Sequence, residues 1–357
     1  MLKTLGSRLR GNVVGYVAVS GTTYAATRGI TGQGEKHRVG LSNRTRQASS
    51  DGIPRLVCAA AVAALGALLW LASPASAAVV VHPTLVKTIA TSAYTQPSPD
   101  PSGIVYRPGR NRLLISDSEV DETRRYHGSN LFTARRRGSG FGSGTLLPFD
   151  NKEPADLGLN PRNSTLFVSD DDRDRVSRVR PGRDGVHGTA DDHVSRFSTA
   201  AFGSHDPEGV TYDPATGRVA VCDGAGLEMF IVDPVNHRFG DGNDVHTHFD
   251  IARYGLRDCE GLGINTRGHN KLLAVDWKTH AIYKFSMGGR LLRTLSLSAI
   301  RSTHQVEADV TMAPTSSRRD KPSNMDYWIV DRHIDNKNHP NENDGRLYEM
   351  SVRRRSR

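Results

Sequence analysis

Asp206-Pro207-Glu208-Gly209-Val210-Thr211-Tyr212, followed 13 residues past Val210 by Asp223, is the stretch on which the fold turns. It recurs. Asp100-Pro101-Ser102-Gly103-Ile104-Val105-Tyr106, Glu153-Pro154-Ala155-Asp156-Leu157-Gly158-Leu159, Asp258-Cys259-Glu260-Gly261-Leu262-Gly263-Ile264 and Glu307-Ala308-Asp309-Val310-Thr311-Met312 repeat its acid and its aliphatic anchor. The anchors Ile104, Leu157, Val210, Leu262 and Val310 lie 53, 53, 52 and 48 residues apart. Turns such as Arg107-Pro108-Gly109 and Asp213-Pro214-Ala215-Thr216-Gly217 follow, and then a second run ends in Asp117, Asp170, Asp223, Asp276 or Asp331. The first three of these lie 13 residues past their anchors, the fourth 14 and the fifth 21. Two independent features repeating in phase identify a structural repeat.

Each unit offers two further strand-like runs, such as Glu228-Met229-Phe230-Ile231-Val232 and His246-Thr247-His248-Phe249. Four short strands in about 50 residues is the pattern of a propeller blade. Helical periodicity is nearly absent after Ala78, where β-branched and aromatic runs are bounded by Gly, Pro, Asn and Asp. The expected fold is therefore all-β, a β-propeller of four-stranded blades. The repeat predicts five blades, with six as the alternative. The last unit holds three strands before Arg357, and Thr84-Leu85-Val86-Lys87-Thr88-Ile89 is the candidate for its missing fourth. That closure joins the two ends of the chain and removes an exposed sheet edge.

Propeller geometry turns the repeat into a site. The start of a blade's innermost strand and the end of its second strand lie on one face. Asp100, Glu153, Asp206, Glu208, Asp258, Glu260 and Glu307 are thus expected around one channel mouth, with the strand-ending Asp residues just outside. So many carboxylates need a cation, Arg or Lys partners, or backbone donors to stay ionised together. Oxygen-rich rings suit calcium, with Glu208 and Glu260 as candidate ligands. The alternative is that the acids accept loop N–H groups in Asx turns. Blades one and five carry long polar loops, Ser118 to His127 and Arg332 to Gly345. Closure makes these blades neighbours, which places Asp335 and Asp344 beside the mouth as further ligand-binding candidates. Asp184, Asp191 and Asp192 lie in a loop on the opposite face, where they form either a structural calcium loop or an ordinary hairpin connection. His205 and His304, shortly before an innermost strand, are placed to reach the mouth as general bases or to remain surface histidines. There is no Gly-x-Ser-x-Gly elbow, His-Glu-x-x-His or P-loop, so the catalytic residues are unassigned.

The 357 residues carry a net charge of +9, but its distribution argues against nucleic-acid binding. Residues 1–77 hold nine Lys/Arg and two Asp/Glu, whereas the rest holds 38 and 36. Four of those 38 are the tail arginines Arg353, Arg354, Arg355 and Arg357. From Leu56 to Ala72 no residue is charged, and Ser73-Pro74 and the small-x-small Ala75-Ser76-Ala77 follow. The expected organisation is a polar, basic and disordered extension over 1–55, then a signal peptide and cleavage site over 56–77. A propeller over 78–352 and a basic tail over 353–357 complete it. Cleavage before Ala78 makes the protein secreted, while an uncleaved Leu56–Ala72 would anchor it in a membrane. An oxidising exterior permits a disulfide between Cys222 and Cys259, which the repeat places on one face of adjacent blades.

The repeated Asp-Pro-Glu-Gly-Val/Leu with its later strand ending in Asp resembles the secreted bacterial phytase-like and esterase-like propeller families. It is similar, more loosely, to the NHL and gluconolactonase propellers. The resemblance spans about residues 84–352 and implies association with calcium and, in some members, hydrolysis of phosphate esters or lactones. Cys259 departs from the pattern by replacing Pro, and the motif supplies no Lys or Arg for a phosphate. Two functions are expected. One is a monomeric binding propeller whose acidic mouth holds a cation, calcium foremost, and a small molecule or peptide. The alternative is a calcium-dependent hydrolase of esters or phosphate esters.

Overall fold

Runs of four to eight residues cannot bury a face alone, so each repeat unit folds its strands into one antiparallel sheet. The computed structural model describes residues 78–302, 304–334, 336 and 339–353. The leader, its cleavage site, Asp335 and the last four residues of the tail lie outside the described residues.

Two strands, β1 (Val79–Val81) and β2 (Thr84–Ala90), precede the first unit. Blade one comprises β3 (Pro101–Arg107), β4 (Arg112–Asp117), β5 (Leu131–Ala134) and β6 (Gly140–Gly144). Blade two holds β7 (Leu157–Asn160), β8 (Thr165–Asp170), β9 (Arg175–Arg180) and β10 (His193–Ser198). Blade three holds β11 (Pro207–Tyr212), β12 (Val219–Asp223), β13 (Glu228–Asp233) and β14 (Val245–Asp250). Blade four holds β15 (Cys259–Asn265), β16 (Lys271–Asp276), β17 (Ala281–Ser286) and β18 (Leu291–Ser296). Blade five holds β19 (Glu307–Pro314), β20 (Met325–Asp331), β21 (Arg346–Ser351) and, from the other end of the chain, β2. The protein is a five-bladed β-propeller, and no sixth sheet occurs among the described residues.

β2 pairs antiparallel with β21 from Thr84 opposite Ser351 to Ala90 opposite Arg346, closing the ring. β1 adds an unexpected contact, pairing parallel with β18 on the rim of blade four. The segment before the first repeat therefore fastens two blades.

Second-strand residues are apolar on both faces because each face meets a different neighbouring blade. In β4, Leu113 and Ile115 pack towards blade five with Trp328 and Val330, whereas Leu114 packs towards blade two with Leu157 and Leu166. Five hydrophobic clusters result, one at each blade interface. Cys222 and Cys259 are joined in a disulfide, with Cα atoms 6.4 Å apart, linking blades three and four.

Candidate functional site

The strand-ending aspartates are latches. Asp223 takes the Ser204 hydroxyl and the His205 and Asp206 amides on one oxygen, and the Gly226 amide on the other. Asp117 does the same for Ser98, Asp100, Glu119 and Val120, and Asp276 for Arg257, Asp258 and Thr279. Asp331 holds the Val306 and His333 amides. Each ties the start of an innermost strand to the turn after the second strand, as an Asx turn does on a smaller scale. Blade two departs from this, since Asp170 pairs with Arg175 at 2.8 Å.

A second set of carboxyls lies on the channel axis. One residue before each anchor stand Gly103, Asp156, Gly209, Gly261 and Asp309. A Cβ at Gly103 would come within 2.7 Å of the Asp156 backbone, and one at Gly261 within 2.7 Å of Asp309. These glycines leave the axis to two aspartates. Asp156 accepts the Leu157, Val210 and Leu262 amides, and Asp309 accepts those of Ile104 and Val310. The five anchor amides of the repeat thus converge on one buried carboxyl pair. Burial raises both pKa values, that of Asp156 to about 6. Asp309 goes well above its usual range through burial and the charge of Asp156. The pair therefore titrates as a unit, with its first proton released well above the usual carboxylate range.

Above this pair, β-bulges shape the mouth. Register shifts fall between Pro207 and Gly209 and between Cys259 and Gly261, leaving Glu208 and Glu260 as the unpaired residues. A bulge re-aims its side chain, and blades one and five carry Ser102 and Ala308 at the equivalent position. Among the described residues only blades three and four therefore present a bulged glutamate, blade two showing no such shift.

The acids then divide into two sectors. On the side of blades four and five they have basic partners. Glu260 pairs with Arg332, Asp258 with Lys278 at 2.7 Å, and Glu307 with His280 at 3.0 Å. Asp258 also accepts the Trp277 indole N–H. Burial pushes the Glu307 pKa up to about 7, and His280 partly offsets the rise. Asp344 lies 3.1 Å from His333. On the other side, ligand atoms of Asp171, Asp206 and Glu208 lie within 4.8 Å of one another. Among the described residues none of the three forms a direct ion pair, although the Ala225 amide donates to Asp206. Burial raises the pKa of all three; the charge of Asp171 adds to the rise at Asp206 and Glu208, those of Asp172 and Asp170 add to it at Asp171, and Arg332 lowers those of Asp171 and Glu208 from a distance.

The remaining candidates are placed as follows. Asp100 is buried and accepts the Asn336 amide, its pKa raised by burial and lowered by Arg332. Glu153 is half-buried in the connection before β7. The long loops of blades one and five do meet, since Arg125 donates to the Asn341 and Glu342 carbonyls. His205 is exposed and faces Asp174. Asp184, Asp191 and Asp192 accept amides of their own loop, from Gly182 to Thr189. That loop clasps blade one, where the Gly185 carbonyl accepts from Arg107 and the Gly188 carbonyl from the Thr145 amide. At the opposite end of the channel Tyr106, Leu159, Tyr212, Ile264 and Met312 line an apolar pocket.

Sequence reasoning missed Asp171 and His280 as parts of the mouth, and placed Arg332 there only as the start of the blade-five loop, without its partner Glu260. Asp171 was legible as the residue after a strand-ending Asp. Arg332 and His280 occupy second-strand turns of different length, and only the folded loops bring them inward.

No protein-family model matches the chain, and no curated protein sequence does. Among solved structures, Myxococcus xanthus glutaminyl cyclase is 12% identical, with 76% of this chain and 97% of that one covered and a TM-score of 0.45. A calcium-binding protein, regucalcin, from Agrobacterium tumefaciens is 10% identical, with 77% and 97% covered and a TM-score of 0.43. For virginiamycin B lyase from Staphylococcus aureus the values are 12% identity, 70% and 66% coverage and 0.37; this chain spans about two thirds of that lyase's length. Such scores add nothing to the fold read from the strand order. The secreted phytase-like resemblance is not confirmed by these comparisons.

Proposed function

We propose that the acidic mouth binds a divalent cation, calcium foremost, through Asp171, Asp206 and Glu208, and that a small molecule or peptide segment docks over it. The carrying observation is the approach of these three carboxylates within 4.8 Å without a direct cationic partner among the described residues. Like charges so close, and partly removed from water, repel unless protonated or neutralised by a cation. Calcium takes six to eight oxygens. Three carboxylates leave several positions for water or for an oxygen of the ligand. The mouth is therefore a seat for an oxygen-rich ligand bridged through the ion. The neighbouring pairs of Glu260, Asp258 and Glu307 hold the rest of the ring in shape. The leader reading supports action outside the cell, where calcium is abundant.

Thermal unfolding with calcium and with chelator tests this reading. A ligand bound only by the native state stabilises it by RT ln(1 + [L]/Kd), about 2.7 kcal/mol at one hundred times Kd. Glu208→Gln combined with Asp171→Asn keeps shape and removes two charges. The variant is expected to be more stable than the parent in chelator and to gain little from calcium. An equal calcium response in both proteins would exclude these residues.

A further inference from the structure

The blade-five side of the mouth carries an exposed serine beside a histidine. We propose that Ser302, His333 and Asp344 form a hydrolytic triad that cleaves neutral or cationic carboxylic esters through an acyl-serine intermediate. Ser302 Oγ lies 3.3 Å from His333 Nε2, and His333 Nδ1 lies 3.1 Å from Asp344 Oδ2. His333 Nε2 faces the hydroxyl, and Nδ1 lies beside the carboxylate without a hydrogen bond to it; a small turn of the ring would align Nδ1–H on Asp344 and make the histidine a general base. Accessibility follows the roles. Ser302 is exposed on the connection between β18 and β19, whereas the His333 and Asp344 side chains are only 14% and 19% exposed.

The surroundings hold this geometry. The His333 amide donates to Asp331 Oδ1 at 2.9 Å, and the Val306 amide donates to the same oxygen. The latch of blade five thereby sets the base relative to the strand that follows Ser302. His333 sits at φ 65°, a left-handed conformation that a histidine keeps only where its surroundings enforce it. The Ser302 amide donates to Oε1 of the buried Gln305 at 2.9 Å. Nucleophile and base are each tied through the backbone to a buried side chain. His304 stands beside the base, its ring centroid 6.5 Å from that of His333.

In the reaction, Ser302 Oγ attacks the ester carbonyl carbon while His333 Nε2 takes the hydroxyl proton. The tetrahedral adduct collapses, the bond to the alcohol oxygen breaks, and the alcohol leaves with that proton. Water then attacks the acyl-serine carbonyl and passes a proton to His333. A second collapse releases the carboxylic acid and returns the proton to Ser302. One water is consumed and nothing is oxidised or reduced. Asp344 is a positioning residue that orients the imidazole and stabilises its charged form. Selectivity follows from the charge of the face. Without a bound cation, Asp171, Asp206 and Glu208 have no ion-pair partner among the described residues, whereas Asp258 and Glu260 are paired with Lys278 and Arg332, so the face disfavours an ester bearing a carboxylate or phosphate.

The test is independent of the cation site. The intact protein is treated with a fluorophosphonate probe with and without chelator, and the adduct is located by peptide mass spectrometry. Hydrolysis of p-nitrophenyl acetate, acetylthiocholine and p-nitrophenyl phosphate is measured alongside. Labelling is expected on Ser302, unchanged by chelator, with the two carboxylic esters cleaved and the phosphate untouched. Ser302→Ala and His333→Gln should each lower kcat at least ~100-fold. Asp344→Asn should lower kcat while leaving KM and the melting temperature in place. Ser302 is exposed, so its alanine variant folds and decides the matter even if a histidine variant does not. An unlabelled Ser302 in folded protein, or ester hydrolysis undiminished in Ser302→Ala, overturns the proposal.

Discussion

At the residue scale the axial carboxyl pair is the feature with the clearest physical consequence. Asp156 and Asp309 accept all five anchor amides, so five backbone donors that would face an empty axis are satisfied by two side chains. Burial raises both pKa values. A carboxyl with a raised folded-state pKa binds its proton more tightly in the native protein. The stability it contributes is complete below its unfolded value, near 4, and is lost as pH rises through the folded one, about 6 for Asp156. Asp117 and Glu307, at about 6 and about 7, act in the same direction. The melting temperature in chelator should therefore fall between pH 5 and pH 8. Asp309→Asn removes one of the two titrating groups while retaining a donor towards Asp156, and should shrink that fall by roughly 2–6 °C. Calorimetry of both proteins at the two pH values checks this; parallel curves would show that the pair does not govern the pH response.

At the element scale, β2 and the disulfide fasten the ring in different ways. β2 was legible because a three-stranded last unit and an unassigned strand at the other end imply each other. Its Ile89 is buried among Tyr94, Trp328 and Leu347, so Ile89→Ala should cost about 2–4 kcal/mol in urea unfolding. The disulfide acts on the unfolded chain. Across a sequence separation of 37 it should add about 3–4 kcal/mol. Thiol titration of denatured, unreduced protein should find neither Cys222 nor Cys259 free, and Cys222→Ser with Cys259→Ser should lower the urea midpoint accordingly. β1 was not legible. Val79-Val80-Val81 is a plausible strand anywhere, and its parallel pairing with β18 depends on where the ring has already placed that edge.

At the scale of the whole molecule, closure converts five similar blades into one cooperative unit. Each blade shares a hydrophobic cluster with both neighbours, and no blade is terminal. An open array of repeats unfolds in segments, whereas this ring should melt in a single transition. Trp328 is fully buried between blades five and one. Trp328→Ala should cost about 3–5 kcal/mol and shift the whole transition, followed by far-ultraviolet circular dichroism, without splitting it. Two resolved transitions would show that the blades melt independently.

The repeat made legible in the chain the propeller, a reading of five blades with six as the alternative, and the face on which the acids gather. These follow from a repeat in phase and from strand alternation, both local properties that recur along the chain. The repeat also exposed the strand-ending aspartates and offered loop N–H acceptance as one of their roles, and their amide partners identify that role as the one they fill. Tertiary structure alone decided which acids are neutralised. Glu208 and Glu260 occupy equivalent bulges in nearly identical motifs, yet Arg332 pairs with one of them and acts on the other only at a distance. Likewise Ser302, His333 and Asp344 form no motif, since Ser302 precedes blade five while His333 and Asp344 stand apart in one long loop of that blade. The physical reason is the same in both cases. A ring brings together residues dozens of positions apart, and the electrostatics of a shared mouth depend on distances between blades that no single repeat encodes.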